Sequence, residues 1–433
     1  MRQLAIIADD LSSATDCGIQ MARSGLHTLV VLDDLEAIAT NAEIDILSLD
    51  TDSRSVSPKD AYKRVKQVTE VLLANGYLKF YKSIDSTLRG NIGAEVDAIL
   101  DSAQFSGAVL APAFPHYGRT TRDGKHYWNG IPITQTEFAR DPQAPVQDDE
   151  LVRLVTSQSV RKAGLVDLET LHAGADAVEN RLLALRQRGV ELYVFDAVEE
   201  TDLDLIVETV TAGSHHVLWV GSTGLARCIP VTLRLPDCNQ SPDQNSGNAK
   251  PGLLVIGSVS EITRKQAEVC VQNKLVHPVP VNPYAVFASE KDDKNQINRC
   301  TEQLRTSLLN GENGLLYLDS KRQDIPLVQD LGNKHGFDSI GVGLRLVKTL
   351  ADIVLQIVRE DLISGVVLSG GDTAKAVCEL LGAKGIEILA EVEPGIPLCR
   401  LRGPHPLWVI TKAGAFGTPE VLIDSLQQLK RMA

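Results

Sequence analysis

The sequence contains few aromatic residues and no strongly basic segment. Phe, Trp and Tyr make up 4% of the 433 residues, and no block of lysines and arginines is interleaved with them. Lys and Arg number 43 against 56 Asp and Glu, which gives a formal net charge of −13. Because neutralisation of phosphates supplies most of the affinity for nucleic acids, this composition excludes nucleic acid as the expected partner.

Long hydrophobic runs and paired cysteines are also missing. No apolar run approaches the ~18 residues that a membrane-spanning helix needs, so we expect no membrane partner. The N-terminus turns acidic after a few apolar residues, which is not the pattern of a secretory signal. The seven cysteines never form a C-x-x-C pair and the nine histidines show no H-x-x-x-H spacing, so we expect no structural metal site. These features predict a protein of the reducing cytoplasm.

The chain is long enough for two domains. Its 43% of hydrophobic and 23% of charged residues are typical of folded proteins, and 433 residues exceed what one core needs. The stretch 239–252 contains almost nothing that enters a core, and it reads as an exposed linker. We therefore predict one domain at 1–238 and another at 253–433.

Both halves alternate short apolar runs with helical patterns, which is typical of α/β architecture. We predict two domains, each with a mainly parallel sheet flanked by helices. Segment 112–150 lacks periodicity and is expected to be a long loop. Ligands of open parallel sheets bind at the carboxyl ends of the strands, so we expect the ligand sites there, facing the cleft between the domains. The expected strands lie at 4–8, 28–32, 44–49, 78–81, 108–111, 192–195 and 217–220, then at 253–256, 315–318, 366–368, 386–392 and 407–410.

Charged and hydroxyl side chains follow several strands of the first half. Lys82–Asn91 brings two cations, one carboxylate and three hydroxyls into ten residues after a predicted strand. Arg54 and the pair Asp9-Asp10 follow two other strands in the same way. An arginine suits bidentate contact with a carboxylate, and a lysine acts as a point charge. The alternative is that these are solvated charges at strand ends.

Glycine-rich turns follow three strands of the second half. They are Gly257-Ser258, Ser369–Thr373 and Lys412–Gly417. If they converge on one sheet edge, the free N–H groups of a helix N-terminus there suit a phosphate. The alternative is that they are ordinary caps and turns. No G-x-x-x-x-G-K-[ST] or G-x-G-x-x-G occurs, which argues against a P-loop and against an ordinary dinucleotide site.

Taken together, these segments resemble the four-carbon acid sugar kinase family over nearly the whole chain. The resemblance implies an N-terminal sugar-acid-binding domain and a C-terminal nucleotide-binding domain. It further implies ATP-dependent phosphorylation, with Mg²⁺, of the terminal (4-) hydroxyl of a four-carbon sugar acid. Residues 84–91 look more like the threonate and erythronate branch, and D-threonate is favoured over D-erythronate and 3-oxo-tetronate. The segments that carry the resemblance are Ala8–Asp10, Lys82–Asn91, Ala111–Thr120, Ser369–Thr373 and Lys412–Gly417.

The resemblance also implies a role for individual residues. Asp9 is the first candidate for the catalytic base and Asp85 the second. The family often has Thr-Gly where Ser12-Ser13 stand, and Gly where Ala415 stands. An alanine forced to positive φ at that position is strained by ~1 kcal/mol or more. The implied substrate contacts are Asp9, Arg54, Lys82, Ser83, Ile84 and Asp85, and the implied nucleotide contacts are Ser258, Gly370, Gly371, Asp372, Thr373 and Gly414.

Two readings from other functional classes stay open at this point. A sugar-acid-phosphate aldolase or epimerase also needs an anion site and carboxylates, but it has no use for a second domain with glycine turns. A non-catalytic sugar-acid sensor binds without releasing ADP, and it usually carries a DNA-binding module that this sequence lacks. The sequence leaves the oligomeric state open, a homodimer included.

Overall fold

The structure is a computed structural model of the chain. It describes residues 4–32, 44–141, 144–213, 215–232, 250–257, 260–319, 324–414 and 416–432. The chain divides into two compact units, Met1–Asn239 and Gln240–Ala433. Among the helices in the described ranges, none is both long and apolar enough to cross a membrane.

The first domain alternates strands and helices from its first described residue. Its strands are β1 (Leu4–Ala8), β2 (Thr28–Val31), β3 (Ile46–Asp50), β4 (Phe80–Ser83), β5 (Ala108–Ala111), β6 (Arg119–Arg122), β7 (Lys125–Trp128), β8 (Ile131–Pro132), β9 (Lys162–Val166), β10 (Val190–Phe195) and β11 (Leu218–Gly221). Its helices are α1 (Leu11–Arg23), α2 (Pro58–Ala74), α3 (Ile92–Ser102), α4 (Leu151–Gln158), α5 (Leu168–His172), α6 (Ala175–Gln187), α7 (Glu200–Ala212), α8 (Thr223–Ala226) and α9 (Ile229–Thr232).

Eight of these strands form a parallel sheet in the order β2-β3-β1-β4-β11-β5-β10-β9. Side chains alternate between its two faces, as they must along a strand. In β1, Ala5 and Ile7 pack into one core with α2, α3 and α4, while Leu4 and Ile6 pack into a second core with α1, α6 and α7. Because all neighbouring strands are parallel, their carboxyl ends share one edge.

The segment that we predicted as a loop contains a small sheet. β6, β7 and β8 pair antiparallel, and three short 3-10 turns surround them. The β6–β7 turn is Asp123-Gly124, and both residues have positive φ, at 51° and 72°. Asp-Gly in this conformation is a favoured two-residue hairpin turn. The local signal was therefore present, although the flanking strands are too polar and too short to show periodicity.

The second domain carries the strands β12 (Gly252–Ile256), β13 (Val276–Val281), β14 (Asn313–Leu318), β15 (Gly365–Ser369), β16 (Gly385–Glu393), β17 (Ile396–Arg402) and β18 (Trp408–Lys412). Its helices are α10 (Glu261–Gln272), α11 (Pro283–Ala288), α12 (Glu290–Leu309), α13 (Ile325–Lys334), α14 (Ser339–Arg359), α15 (Gly371–Leu380) and α16 (Val421–Met432). Residues 239–249 of the predicted linker lie outside the described residues.

The strands of this domain follow the order β13-β14-β12-β15-β18-β17-β16. All pairs are parallel except those of β17, which runs antiparallel to β16 and β18. Two strands of this domain, β13 and β17, were not predicted from the sequence, and β13 contains Pro278 and Pro280. Proline cannot donate to a ladder and is confined to edge strands, and β13 is the first strand in the order. Both domains are thus α/β with mainly parallel sheets, as predicted.

Candidate active site

Three polar segments of the first domain meet at the carboxyl edge of its sheet. Asp9 follows β1 directly, Arg54 lies in the loop after β3, and Lys82 lies in β4. β1 pairs in parallel with both β3 and β4. The topology therefore brings together three segments, the outer two of which, at Asp9 and Lys82, are 73 positions apart in the sequence.

Arg54 is bound to the two aspartates that follow β1. Its Nε lies 2.8 Å from Asp9 Oδ2 and its Nη2 lies 2.9 Å from Asp9 Oδ1. Nη2 also donates to Ser13 Oγ at 2.8 Å, and Nη1 donates to Asp10. Four of its five N–H groups are therefore engaged. Arg54 holds Asp9 in the bidentate geometry that we expected it to offer to a substrate, and Asp10, to which we gave no role, is its second partner.

Lys82 lies inside the sheet because β4 continues two residues past the predicted end of the strand. Its Nζ is 2.7 Å from Glu95 Oε2, and the two side chains are 0% and 1% exposed. Nζ also donates to the carbonyl oxygens of Ser83, at 2.6 Å, and Ile7, at 3.3 Å. Burial raises the pKa of Glu95, and the charge of Lys82 opposes that rise. Lys82 thus joins α3 to β1 below Asp9, and none of its ammonium surface is exposed.

Asp85 is held by its own loop. Thr87 donates to it from N, at 3.2 Å, and from Oγ1, at 2.5 Å, and Arg89 Nε donates at 2.5 Å. Burial works against the carboxylate, but the charges of Arg89 and Arg54 outweigh burial and hold the pKa of Asp85 well below its usual value. A carboxylate of such low pKa is a weak base, and it serves better as a permanent hydrogen-bond acceptor.

Ser83 and Ile84 face away from the charged cluster. Ser83 Oγ lies 3.1 Å from Cys17 Sγ, and burial raises the pKa of that thiol to about 12. The Ile84 side chain is buried, and its N–H donates to the carbonyl oxygen of Gly221 at 2.9 Å. The structure therefore brings the six predicted substrate residues to one edge but does not expose them equally.

The β6–β7 hairpin is fastened to this edge at two points. His126 is fully buried, with Nε2 2.9 Å from the carbonyl oxygen of Ser86 and Nδ1 2.9 Å from Thr121 Oγ1. Burial lowers the pKa of His126 to about 4, and because a carbonyl only accepts, Nε2 carries the proton. Asp196, after β10, accepts from the backbone N–H groups of Asp123 and Gly124 at 2.8 and 2.9 Å.

The second domain also places its turns side by side. β15 lies between β12 and β18, so Gly257, Gly370 and Gly414 follow three adjacent parallel strands. Gly257 N–H donates to the carbonyl oxygen of Ser369, at 3.3 Å, and Gly370 N–H to that of Lys412, at 2.9 Å. The three turns therefore lie next to one another along one edge of the sheet.

Two of these glycines are required by the geometry. Gly370 has φ 110°, which side chains rarely adopt. A Cβ on Gly257 would lie 2.2 Å from Thr373 Oγ1. Gly371, Asp372 and Thr373 form the first turn of α15, whose N–H groups suit a phosphate. Ser258 and Ala415 lie outside the described residues, so the predicted contact of one and the strain at the other stay predictions.

Side chains from α10 and β18 shape the last turn, a role that the sequence did not indicate. Lys412 Nζ donates to Thr263 Oγ1 and to the carbonyl oxygens of Ala413 and Phe416, each at 3.1 Å. Thr263 Oγ1 donates to the carbonyl oxygen of Gly414 at 2.7 Å. Burial lowers the pKa of Lys412 to about 8.

No group of three or more His, Cys, Asp or Glu side chains within the described ranges is placed to hold a metal ion. The six cysteines that the structure describes are buried, and none of them forms a disulfide. An Mg²⁺ ion that takes only one or two carboxylates and the phosphates of its nucleotide does not need such a cage.

Comparison with known proteins assigns a different domain family to each half of the chain. A sugar-binding N-terminal domain family matches residues 4–229, and a nucleotide-binding C-terminal domain family matches residues 253–422. A crystal structure from Salmonella typhimurium LT2 shares the fold, with a TM-score of 0.83, 22% identity, and coverage of 99% of this chain and 100% of that one. The chain therefore combines a sugar-binding domain with a nucleotide-binding domain.

Full-length relatives narrow the class. The D-threonate kinase of Salmonella typhimurium is 33% identical over 433 residues, which cover 99% of each chain. The D-erythronate kinase of Heliobacterium modesticaldum is 31% identical, over 99% of this chain and 97% of that one. The chain belongs to the four-carbon acid sugar kinase family. The resemblance seen in the sequence is thus confirmed.

Proposed function

We propose that the protein transfers the γ-phosphate of ATP to the 4-hydroxyl of a four-carbon sugar acid, D-threonate first among them. The proposal depends on one observation, the presence of two different strand-edge clusters in one chain. The first domain gathers carboxylates and guanidinium groups, as a polyhydroxy acid requires. The second gathers glycine turns and a helix N-terminus, as a triphosphate requires.

In the first domain, Asp9 takes the proton of the reacting hydroxyl. Each Asp9 oxygen accepts one N–H from Arg54 and keeps a second lone-pair direction. Arg54 therefore orients the Asp9 carboxylate and leaves both of its oxygens able to accept a further hydrogen bond. Asp85 stays ionised and accepts hydrogen bonds from the substrate hydroxyls.

In the second domain, the first turn of α15 and the turns at Gly257 and Gly414 hold the ATP phosphates. The exposed carboxylate of Asp372 is an oxygen ligand of the kind that Mg²⁺ prefers. When bound, Mg²⁺ neutralises charge on the phosphate oxygens. The remaining contribution of the chain is positioning, which carries most of the catalysis in phosphoryl transfer. We further propose that the enzyme works in the cytoplasm.

A panel assay tests the proposal. ADP release is measured with MgATP and each of D-threonate, D-erythronate, their L isomers and 3-oxo-tetronate, and the phosphorylated carbon is located by NMR. We expect the highest kcat/KM with D-threonate and phosphate on C4. D-Erythronate is the main competing substrate, because the D-erythronate kinase is almost as similar to this chain as the D-threonate kinase. A higher kcat/KM with D-erythronate would make that acid the assigned substrate in place of D-threonate. ADP release with none of these acids would overturn the proposed function.

A further inference from the structure

Of Arg54, Lys82, Arg89 and Arg119, which lie in or next to the loops at the carboxyl edge of the first domain, all but one face a carboxylate. The exception in the part of the chain that the structure describes is Arg119, the first residue of β6. No carboxylate pairs with its guanidinium, and its Nε is buried with no hydrogen-bond partner. The paired groups are Arg54 with Asp9 and Asp10, Lys82 with Glu95, and Arg89 with Asp85 and Asp141.

The backbone at Arg119 is fixed. Its N–H donates to the carbonyl oxygen of Phe114 at 3.1 Å, and its carbonyl oxygen accepts the Phe114 N–H at 2.8 Å. Phe114 is itself anchored, because the carbonyl oxygen of the preceding residue, Ala113, accepts from Ser222 Oγ directly after β11. The guanidinium carbon lies 5.6 Å from the ring centre of Tyr117. Arg119 is thus held at the same sheet edge as Asp85 and is partly exposed.

The charges around Arg119 come from several elements. Burial lowers the pKa of Arg119. Two carboxylates oppose this shift, that of Asp85 in the loop after β4 and that of Asp16 in α1. Arg89 adds a like charge from that same loop. A buried N–H without a partner costs free energy until an acceptor arrives. An anion that binds here therefore gains a partner for the Nε and compensates the repulsion between the two arginines.

We propose that Arg119 binds the carboxylate of the sugar acid. This assignment rests on the proposed function, because that function supplies a carboxylate. Arg54 cannot grip a carboxylate with both arms while it holds Asp9, and Lys82 has no exposed ammonium. The arginine fork matches a carboxylate in two parallel hydrogen bonds. Arg119 thereby selects sugar acids over neutral polyols in a site that is otherwise rich in carboxylates.

The test compares an acid with its neutral analogue. kcat/KM is measured for D-threonate and D-erythronate and for their primary amides, with wild type, Arg119→Met and Arg119→Lys. Arg122→Met is the matched control, because Arg122 is the exposed arginine of the same strand. We expect Arg119→Met to lower kcat/KM for the acids about 10- to 100-fold, mainly through KM. The amides and the KM for ATP should change less than about threefold, Arg119→Lys should be intermediate, and the control should match wild type.

Two kinetic results would overturn the assignment. An equal loss with acid and amide would mean that Arg119 only supports the fold, and unchanged acid kinetics would mean that it touches nothing. Calorimetric titration of the acids without ATP separates this proposal from the proposed function. If the wild type binds an acid but releases no ADP, the function fails, while weaker binding by Arg119→Met still supports the carboxylate contact. If the wild type binds none of the acids, the contact is refuted as well.

Discussion

Removal of one partner of the Lys82–Glu95 pair should destabilise the first domain strongly. The two charged atoms are 2.7 Å apart and both side chains are fully buried. A buried charge without its partner typically costs about 3–5 kcal/mol. For a domain of this size, that corresponds to a fall in Tm of about 6–20 °C. Lys82→Met and Glu95→Leu should each show a loss of this order.

The double variant Lys82→Met/Glu95→Leu should recover most of the loss, because it leaves no unpaired charge. About 1–2 kcal/mol should remain lost, since the carbonyl oxygens of Ile7 and Ser83 lose a donor. Denaturation of wild type, both single variants and the double variant in urea gives the coupling energy. Lys348→Met is the control, because Lys348 and Asp352 form an exposed pair, and its cost should stay below about 1 kcal/mol.

The same four proteins decide how Lys82 acts on the substrate. If Lys82 only ties α3 to β1, the double variant should regain both stability and the wild-type KM for the acid. If Lys82 contacts the acid, the double variant should regain stability but keep a raised KM. Single variants that lose less than about 1 kcal/mol, or losses that simply add in the double variant, would refute the buried-pair reasoning.

Three further predictions concern other residues of the two sites. Asp9→Asn should lower kcat about 10²–10⁴-fold and leave the Kd for ATP nearly unchanged, and wild-type turnover would remove Asp9 from the base role. Burial lowers the pKa of His126 from 6.5 in the unfolded chain to about 4 in the folded protein. The free energy of unfolding is therefore at its full value above pH 6.5 and falls as the pH drops from 6.5 to 4, because the unfolded chain binds the proton more tightly. Urea denaturation between pH 7 and 4 should therefore show a shallower loss for His126→Gln than for wild type, by up to about 3 kcal/mol, and parallel curves would contradict this. Gly257→Ala would place a Cβ 2.2 Å from Thr373 Oγ1, so we expect a loss of about 1–3 kcal/mol in thermal denaturation, and an unchanged Tm would show that the turn yields.

Much of the first-domain site followed from the sequence, because polar residues came directly after apolar runs. Parallel strands share an edge for their carboxyl ends, so the sequence placed Asp9 and Arg54 at the same edge of the sheet. Their direct contact depends on β1 pairing with β3, which the sequence did not show. The hairpin turn Asp123-Gly124 was equally legible in the sequence, although we predicted a loop there. How that hairpin is fastened, by His126 to the carbonyl oxygen of Ser86, has no local signature.

The sequence by itself determined which chemical groups stand at the sheet edges and in which order, because the alternation of strands and helices is a local property. Tertiary structure alone decided which charge meets which. β4 ends at Ser83 and not at Tyr81, so Lys82 lies within the strand. The two-residue period of the strand places the Lys82 side chain on the face that packs against α3, where it pairs with Glu95. Spacing along the chain carries no information about such contacts, because they depend on where a strand stops and what is packed over it.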